Sequence, residues 1–283
     1  KLPPVNYGQM SNKGWEFKLS YNDRAGDFSY NVSVNGGYAR NKILDWNETP
    51  GLPEYQKTTG RAYNGFLAYQ YDGVFATQKD IDNNTIDYSP ITGNLMPGDM
   101  KIKDVNDDGK ITSDDQVRSD KTNIPRFTGG INIGLQYKNF DMSILFQGAM
   151  GGLQFIGRTE SGDIGNFLQF AYDNRWTIDN PSSVDPRLTN RQNRYYTGGS
   201  AWNNTYFIRN NNYVRLKTIE IGYSIPPELG SKVGISNLRV YVSGLNVFTF
   251  FDKIKIWDPE ATTQDGKYYP QSRILSVGAR VTF

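Results

Sequence analysis

Apolar and polar residues alternate with a period of two in many segments of the chain. The clearest case is FTGGINIGLQYKNFDMSILFQ, residues 127–147, in which the apolar set ends at Tyr137 and resumes at Phe140. The apolar set changes parity across Lys138 and Asn139, as it must when a two-residue turn joins antiparallel strands that share one apolar face. The pattern therefore predicts a β-hairpin in which Tyr137 and Phe140 lie opposite each other.

The same alternation predicts about eight strands. Besides the two strands of the hairpin, alternating segments occupy residues 15–21, 28–38, 63–75, 213–223, 238–242 and 275–283. Within 213–223 the parity slips between Leu216 and Ile219, which predicts a β-bulge. Strands of roughly 9 to 11 residues with one apolar face are typical of a tilted membrane barrel. The half-buried sheet of a soluble sandwich would show the same alternation.

The connections between the predicted strands differ in length. If strand directions are counted back from the C-terminus, one rim carries the turn at 138–139, the link 224–236 and the segment 41–60. The other rim carries the long segments 76–126, 152–206 and 251–272, with one short turn at 23–26. Short turns on one side and long loops on the other are typical of outer-membrane barrels, and loops this long are uncommon in compact soluble domains. We therefore predict an all-β, antiparallel transmembrane β-barrel with long extracellular loops and short periplasmic turns.

Composition excludes several function classes. The 31 basic and 29 acidic residues give a net charge of +2, which provides no basic surface for nucleic acid. The chain contains no Cys and no His, so disulfides, thiol nucleophiles and His-based catalysis are excluded, and we expect no enzyme. The first residues show no signal-peptide pattern and do not begin with Met. We expect the chain to be a mature fragment, or the C-terminal part of a longer polypeptide.

Six segments, in this order, resemble the C-terminal part of the SusC-like TonB-dependent outer-membrane transporters. They are NKGWEFKLSYND, YNGFLAYQYDGVFAT, PGDMKIKDVNDDGKITSDDQ, PRFTGGINIGLQYKNFDMSILFQGAMGG, NYVRLKTIEIGYSIP and LRVYVSGLNVFTF. The resemblance implies a barrel of about 22 strands with a plugged lumen, of which residues 1–283 would form the C-terminal part. The plug and the first strands would be absent from this chain.

The resemblance also implies function, location and partners. Such a barrel imports oligosaccharides or oligopeptides across a Bacteroidota-type outer membrane, together with a SusD-like lipoprotein that captures substrate. A TonB complex would act through the missing N-terminal part. Phe283, at the end of the last strand, is similar to the terminal signal that barrel-assembly machinery recognises before insertion into the lipid bilayer. The alternative is a self-contained barrel or adhesin of about eight strands, with ligand-binding loops and no transport.

The stretch DVNDDGKITSDD has the oxygen spacing of a calcium-binding loop. Calcium prefers several oxygen ligands, and the candidate ligands are Asp104, Asn106, Asp108, the Lys110 carbonyl and Asp115. Asp115 is shorter than the Glu usual at the twelfth position of an EF-hand loop. The prediction is structural Ca²⁺; the alternative is an Asp-rich turn satisfied by its own backbone and water.

The loop after residue 156 is rich in aromatic and amide side chains. Trp176, Tyr195, Tyr196, Trp202 and Asn203 are the candidate substrate-binding residues, because aromatic rings and amides can stack on and hydrogen-bond a sugar or a peptide. The alternative is that these residues pack the loops on one another or on a partner lipoprotein. No carboxylate pair stands out as a catalytic dyad.

Overall fold

Strands dominate the chain, as the alternation predicts. The computed structural model describes residues 7–156, 169–188, 203–230, 234–261 and 271–282. The strands are β1 (Gln9–Ala25), β2 (Phe28–Asp45), β3 (Leu67–Tyr69), β4 (Tyr71–Val74), β5 (Met100–Ile102), β6 (Gln116–Arg118), β7 (Phe127–Tyr137), β8 (Phe140–Met150), β9 (Leu153–Phe155), β10 (Ile208–Asn210), β11 (Tyr213–Ser224), β12 (Asn237–Asp252) and β13 (Ile274–Thr282). The short helices are α1 (Gln78–Asp82), α2 (Gln169–Asn174) and α3 (Pro227–Gly230), with a 3₁₀ turn at Ser113–Asp115. Among the described residues, no helix is long and apolar enough to cross a bilayer.

Seven strands form one antiparallel sheet in the order β1-β2-β7-β8-β11-β12-β13. The predicted hairpin is confirmed, with Tyr137 opposite Phe140. The predicted bulge is confirmed too, since the register of β11 shifts between Leu216 and Thr218 against both of its neighbours. The register therefore changes at Lys217, between the two strands that flank β11.

The prediction of a strand of the main sheet over residues 63–75 is wrong. Its residues form β3 and β4, which pair with β6 and β5 in separate two-stranded sheets. The alternation is real, but its apolar side chains are buried: Tyr69 is 0% and Phe75 2% exposed. Gly73 adopts a left-handed φ of 94°, which interrupts an extended strand. Alternation alone does not distinguish a lipid-facing strand from one that lies in a packed core.

This miscounted strand also reversed the predicted placement of two connections. The turn after β1 lies beside the turn at 138–139, because the Lys138 N–H donates to the Asp27 carbonyl at 3.4 Å. The Ser224 N–H donates to the Asn139 carbonyl at 2.8 Å, so the link 225–236 begins on the same rim. The turn at 23–26 thus belongs to the short-turn rim, and segment 41–60 leads into the long-loop rim. Both corrections sharpen the asymmetry that the sequence indicated.

Three long connections lie on the opposite rim. We call them loop A (46–126), loop B (151–212) and loop C (253–273). No strand of the main sheet lies within loop A, which the structure describes throughout, because β2 pairs directly with β7.

The two faces of the sheet differ sharply in chemistry. One row across the strands consists of Tyr21, Val32, Ile133, Ile144, Ile219, Gly244 and Leu275. The adjacent row on the other face consists of Asn22, Asn31, Gly134, Ser143, Glu220, Ser243 and Ser276. The apolar row is not covered by protein, since Leu275 is 70% and Tyr21 57% exposed. An uncovered apolar face opposite a polar one is the arrangement of a membrane barrel wall.

Aromatic side chains border the apolar face at both rims. At the long-loop rim the Trp15 ring lies 6.1 Å from Tyr38 and 6.3 Å from Phe127. At the short-turn rim Phe28, Tyr137, Phe140 and Tyr223 occupy neighbouring positions on four strands. Ten residues of β2 separate these two aromatic belts, which is roughly 33 Å along the strand at about 3.3 Å per residue. With a tilt of about 40° the height is roughly 25 Å, the height of the apolar band of an outer-membrane barrel.

The hydrophobic core of the chain lies in the loops. A buried cluster comprises Tyr69, Phe75, Tyr88, Ile91, Met100, Ile102, Ile111, Phe155, Tyr206 and Phe207. All of these residues belong to loops A and B. The long loops therefore form a packed layer of their own at one rim of the sheet.

A charge placed on the apolar face should destabilise the wall far more than the same charge on the polar face. Val32 and Asn31 are neighbours on β2, midway between the belts, and face opposite sides. In the full-length protein we expect Val32→Arg to lower the free energy of unfolding by about 2–4 kcal/mol and Asn31→Arg to change it by less than about 1 kcal/mol. Urea unfolding in lipid vesicles, followed by heat-modifiable gel migration, measures both. Equal effects of the two substitutions would contradict this assignment of the faces.

Candidate functional site

A buried ion pair holds loop B onto loop A. Arg187 Nε donates to Asp99 Oδ1 at 2.7 Å, and the Asp99 side chain is fully buried. Asp99 Oδ2 also accepts the Met96 N–H at 2.9 Å, and the Arg187 N–H donates to the Gly98 carbonyl at 2.9 Å. Because a buried carboxylate is stable only when paired and hydrogen-bonded, this contact fixes the position of the two loops relative to each other.

Two of the predicted substrate-binding residues lie at contacts between loops. Trp176 Nε1 donates to the Ala76 carbonyl at 3.0 Å, and its ring lies against Gly98, where an added Cβ would come within 2.6 Å of it. The Asn203 side-chain amide donates to the Leu67 carbonyl, and the Asn203 carbonyl accepts the Tyr69 N–H at 2.8 Å. Both residues thus do what the alternative interpretation, packing of the loops, requires.

The other members of this predicted set lie outside the described residues. They are Tyr195, Tyr196 and Trp202. Phe283, the predicted insertion signal, also lies outside the described residues. These assignments stay predictions.

Loop C is tied to the polar face of the wall by charges that the sequence analysis missed. Arg215 on β11 is 4% exposed and contacts Asp258 at 2.7 Å and Glu260 at 3.3 Å. The register shift places Lys217 within 2.6 Å of Glu260 as well. The two carboxylates lie in the stretch WDPE, residues 257–260, within the segment 251–272 that the sequence predicted only as a long connection. The sequence contains two basic residues in RLK, residues 215–217, and two acidic residues in DPE, residues 258–260. Nothing in the sequence indicates that these residues are in contact.

A second charged cluster lies near the short-turn rim of the polar face. Arg239 on β12 donates to both oxygens of Asp141, with Nε to Oδ1 at 2.9 Å, and to Glu220 at 2.8 Å. To reach Asp141 on β8 the guanidinium crosses Gly222 of β11, where an added Cβ would lie 2.3 Å from it. Glycine at this position therefore permits an ion pair across three strands.

The predicted calcium loop is held by its own backbone. Asp104 accepts the Gly109 N–H at 2.8 Å and the Asp108 N–H at 3.3 Å. Asp115 is fully buried and accepts the Val105 and Thr112 N–H groups at 2.7 and 2.8 Å. Among the described residues no three carboxylates converge on a common point in a way that could hold a metal ion.

Asp115 is the most constrained acid of this loop. Burial raises the pKa of its carboxyl, against the backbone hydrogen bonds that lower it. The peptide N–H groups therefore offset only part of the cost of removing this carboxylate from water.

The geometry defines a class: a segment of an antiparallel β-barrel with an uncovered apolar face, a polar face and a packed layer of loops at one rim. No protein-family model matches the chain. The TonB-dependent receptor P26 of Formosa agariphila is 29% identical over 98% of the chain and 30% of its own length. The TonB-dependent receptor SusC of Bacteroides thetaiotaomicron is 26% identical over 98% of the chain and 27% of its own length.

Solved structures agree with these relatives. A structure of the RagAB peptide transporter superposes with a TM-score of 0.69 and 25% identity, covering 98% of the chain and 30% of that chain. The resemblance to SusC-like TonB-dependent outer-membrane transporters is thereby confirmed, and so is the antiparallel β-barrel fold. The chain spans about 30% of the length of the relatives it matches.

Removal of Arg215 should release loop C from the wall. Arg215→Met leaves Asp258 and Glu260 without their shared buried partner, and loss of one partner of a buried ion pair typically costs about 3–5 kcal/mol. We expect a more than 100-fold increase in the rate of proteolytic cleavage within residues 253–261, measured on the folded protein.

The matched control is an exposed ion pair. Glu54 is 80% exposed and pairs with Lys57, so Glu54→Gln should cost less than about 1 kcal/mol and leave loop C protected. Unchanged protection of loop C in Arg215→Met would show that the ion pairs do not hold it.

Proposed function

We propose that the chain forms part of the wall and extracellular loop layer of an outer-membrane importer. The observation that carries this proposal is the apolar band of roughly 25 Å between two aromatic belts, set against a polar face beneath a packed loop layer. The similarity to TonB-dependent receptors supports import rather than catalysis, and we propose no enzymatic activity.

The arrangement of strands favours a large barrel over the small one. β1 and β13 are the edges of the main sheet and do not pair with each other in the described part of the chain. A self-contained barrel would close by pairing its first and last strands. We therefore propose that further strands complete the barrel, with this chain at its C-terminal end and with Phe283 as the signal read by the barrel-assembly machinery.

The proposed cargo is an oligosaccharide or an oligopeptide. RagAB is named as a peptide transporter, which supports peptides as one cargo class for this chain. We propose that a SusD-like lipoprotein covers the loop layer and captures cargo, and that a TonB complex supplies energy from the inner membrane. The proposed location is a Bacteroidota-type outer membrane.

The full-length protein from outer membranes tests this proposal. We expect it to co-purify with a lipid-anchored protein, identified by mass spectrometry. We also expect it to confer uptake of an oligosaccharide or an oligopeptide that stops when the proton gradient is dissipated. Cells lacking the protein serve as the control. A protein without a lipoprotein companion and without energy-dependent uptake would contradict the importer proposal.

We also propose that the loop 104–115 binds Ca²⁺ in a structural role. The spacing of Asp104, Asn106, Asp108, the Lys110 carbonyl and Asp115 supports it, as does the high cost of burying the Asp115 carboxylate.

Calorimetric titration of chelator-treated protein tests calcium binding. We expect uptake of Ca²⁺ by the wild type and at least tenfold weaker binding in Asp108→Asn, which loses a predicted ligand charge. Asp107→Asn removes the same charge from the neighbouring position, which is not a predicted ligand, and should bind as the wild type does. Its φ of 58° is one that Asn tolerates. No heat of binding in the wild type would refute the calcium proposal.

A further inference from the structure

A cavity of about 340 Å³ lies where all three long loops meet the polar face of the wall. This volume is within the range of ligand pockets, roughly 300–1,000 Å³. Its wall side includes Ala149 and Tyr213, and loops A, B and C contribute Phe66, Phe155 and Glu260.

The side-chain oxygen of Asn211 has no hydrogen-bond partner among the described residues. Asn211 lines the cavity, is 8% exposed, and its Oδ1 accepts no hydrogen bond from the described part of the chain. The side chain is held against Gly152, where an added Cβ would lie 2.5 Å from Oδ1. A buried amide oxygen without a donor is costly, so its retention points to a donor that the described part of the chain does not supply.

The charges around the cavity are already paired. Glu260 contacts Arg215 at 3.3 Å and Lys217 at 2.6 Å. A charged ligand would therefore be buried without a free counter-charge, which is unfavourable. The rings of Phe66, Phe155 and Tyr213 offer apolar surface instead. A neutral group that donates a hydrogen bond and presents an apolar face satisfies both conditions.

We propose that this cavity is a cargo subsite that binds a neutral hydrogen-bond donor through Asn211 Oδ1. The donor is a hydroxyl of a sugar unit or an N–H of a peptide unit, packed against the aromatic rings. The inference rests on the proposed import function and names the part of the chain that contacts cargo.

Two small probes distinguish the two sources of the donor. Methyl α-glucopyranoside represents a neutral sugar and N-acetylglycine methylamide a neutral peptide unit. Saturation transfer from the detergent-solubilised full-length protein to each probe, observed by NMR, reports binding. We expect transfer to at least one probe, and the probe that binds identifies the cargo class.

Two variants test the location of the subsite. Asn211→Leu removes the acceptor, and Ala149→Leu fills the cavity from the wall side; each should reduce the transfer at least fivefold. Asn132→Leu, on the polar face outside the cavity, should leave it unchanged. Heat-modifiable gel migration verifies that each variant folds. If Asn211→Leu does not fold, Ala149→Leu still tests the location of the subsite.

Absence of transfer to both probes in the wild type would overturn the subsite, as would transfer that persists in every folded cavity variant. The outcome is separable from the importer proposal. Energy-dependent uptake by a protein that binds neither probe would overturn the subsite alone, whereas probe binding without uptake would contradict import.

Discussion

Lipid offers no hydrogen-bond partner to a peptide group, and the rest of the structure depends on that constraint. Every N–H and C=O of the wall within the membrane must be paired with a neighbouring strand. The antiparallel ladder from β1 to β13 does this, with register shifts at the start of β1 and within β11. Once the ladder is formed, side chains alternate between lipid and the polar interior, and the sequence has only to match that period.

The loop layer is folded by water rather than by lipid. Loops exposed to water can bury apolar side chains, and here they bury Tyr69, Phe75 and Met100 while the wall leaves its apolar side chains uncovered. An ion pair between Arg187 and Asp99 joins loop B to loop A, and ion pairs of Arg215 with Asp258 and Glu260 join the wall to loop C. The loop layer is thus a folded unit attached to the wall by a few buried ion pairs, and its underside forms the cavity lined by Asn211.

The sequence predicted local features well and contacts between distant residues poorly. The register at Tyr137 and Phe140 and the shift near Leu216 follow from parity alone, because both depend on adjacent residues. The segment 63–75 was misplaced because parity does not reveal whether an apolar side chain meets lipid or a protein core. The contact of Arg215 with Glu260, and that of Trp176 with Gly98, join residues more than forty positions apart. Only the fold brings such residues together.

Site-directed spin labelling along β2 tests the assignment of the two faces most directly. The chain contains no Cys, so single Cys substitutions at positions 30–35 can be labelled one at a time in the full-length protein in lipid vesicles. Labels at Tyr30, Val32 and Val34 should be accessible to oxygen dissolved in lipid, and labels at Asn31, Ser33 and Asn35 to a water-soluble nickel reagent. Accessibility to the nickel reagent at all six positions, or a pattern without a period of two, would contradict the membrane wall on which the account rests.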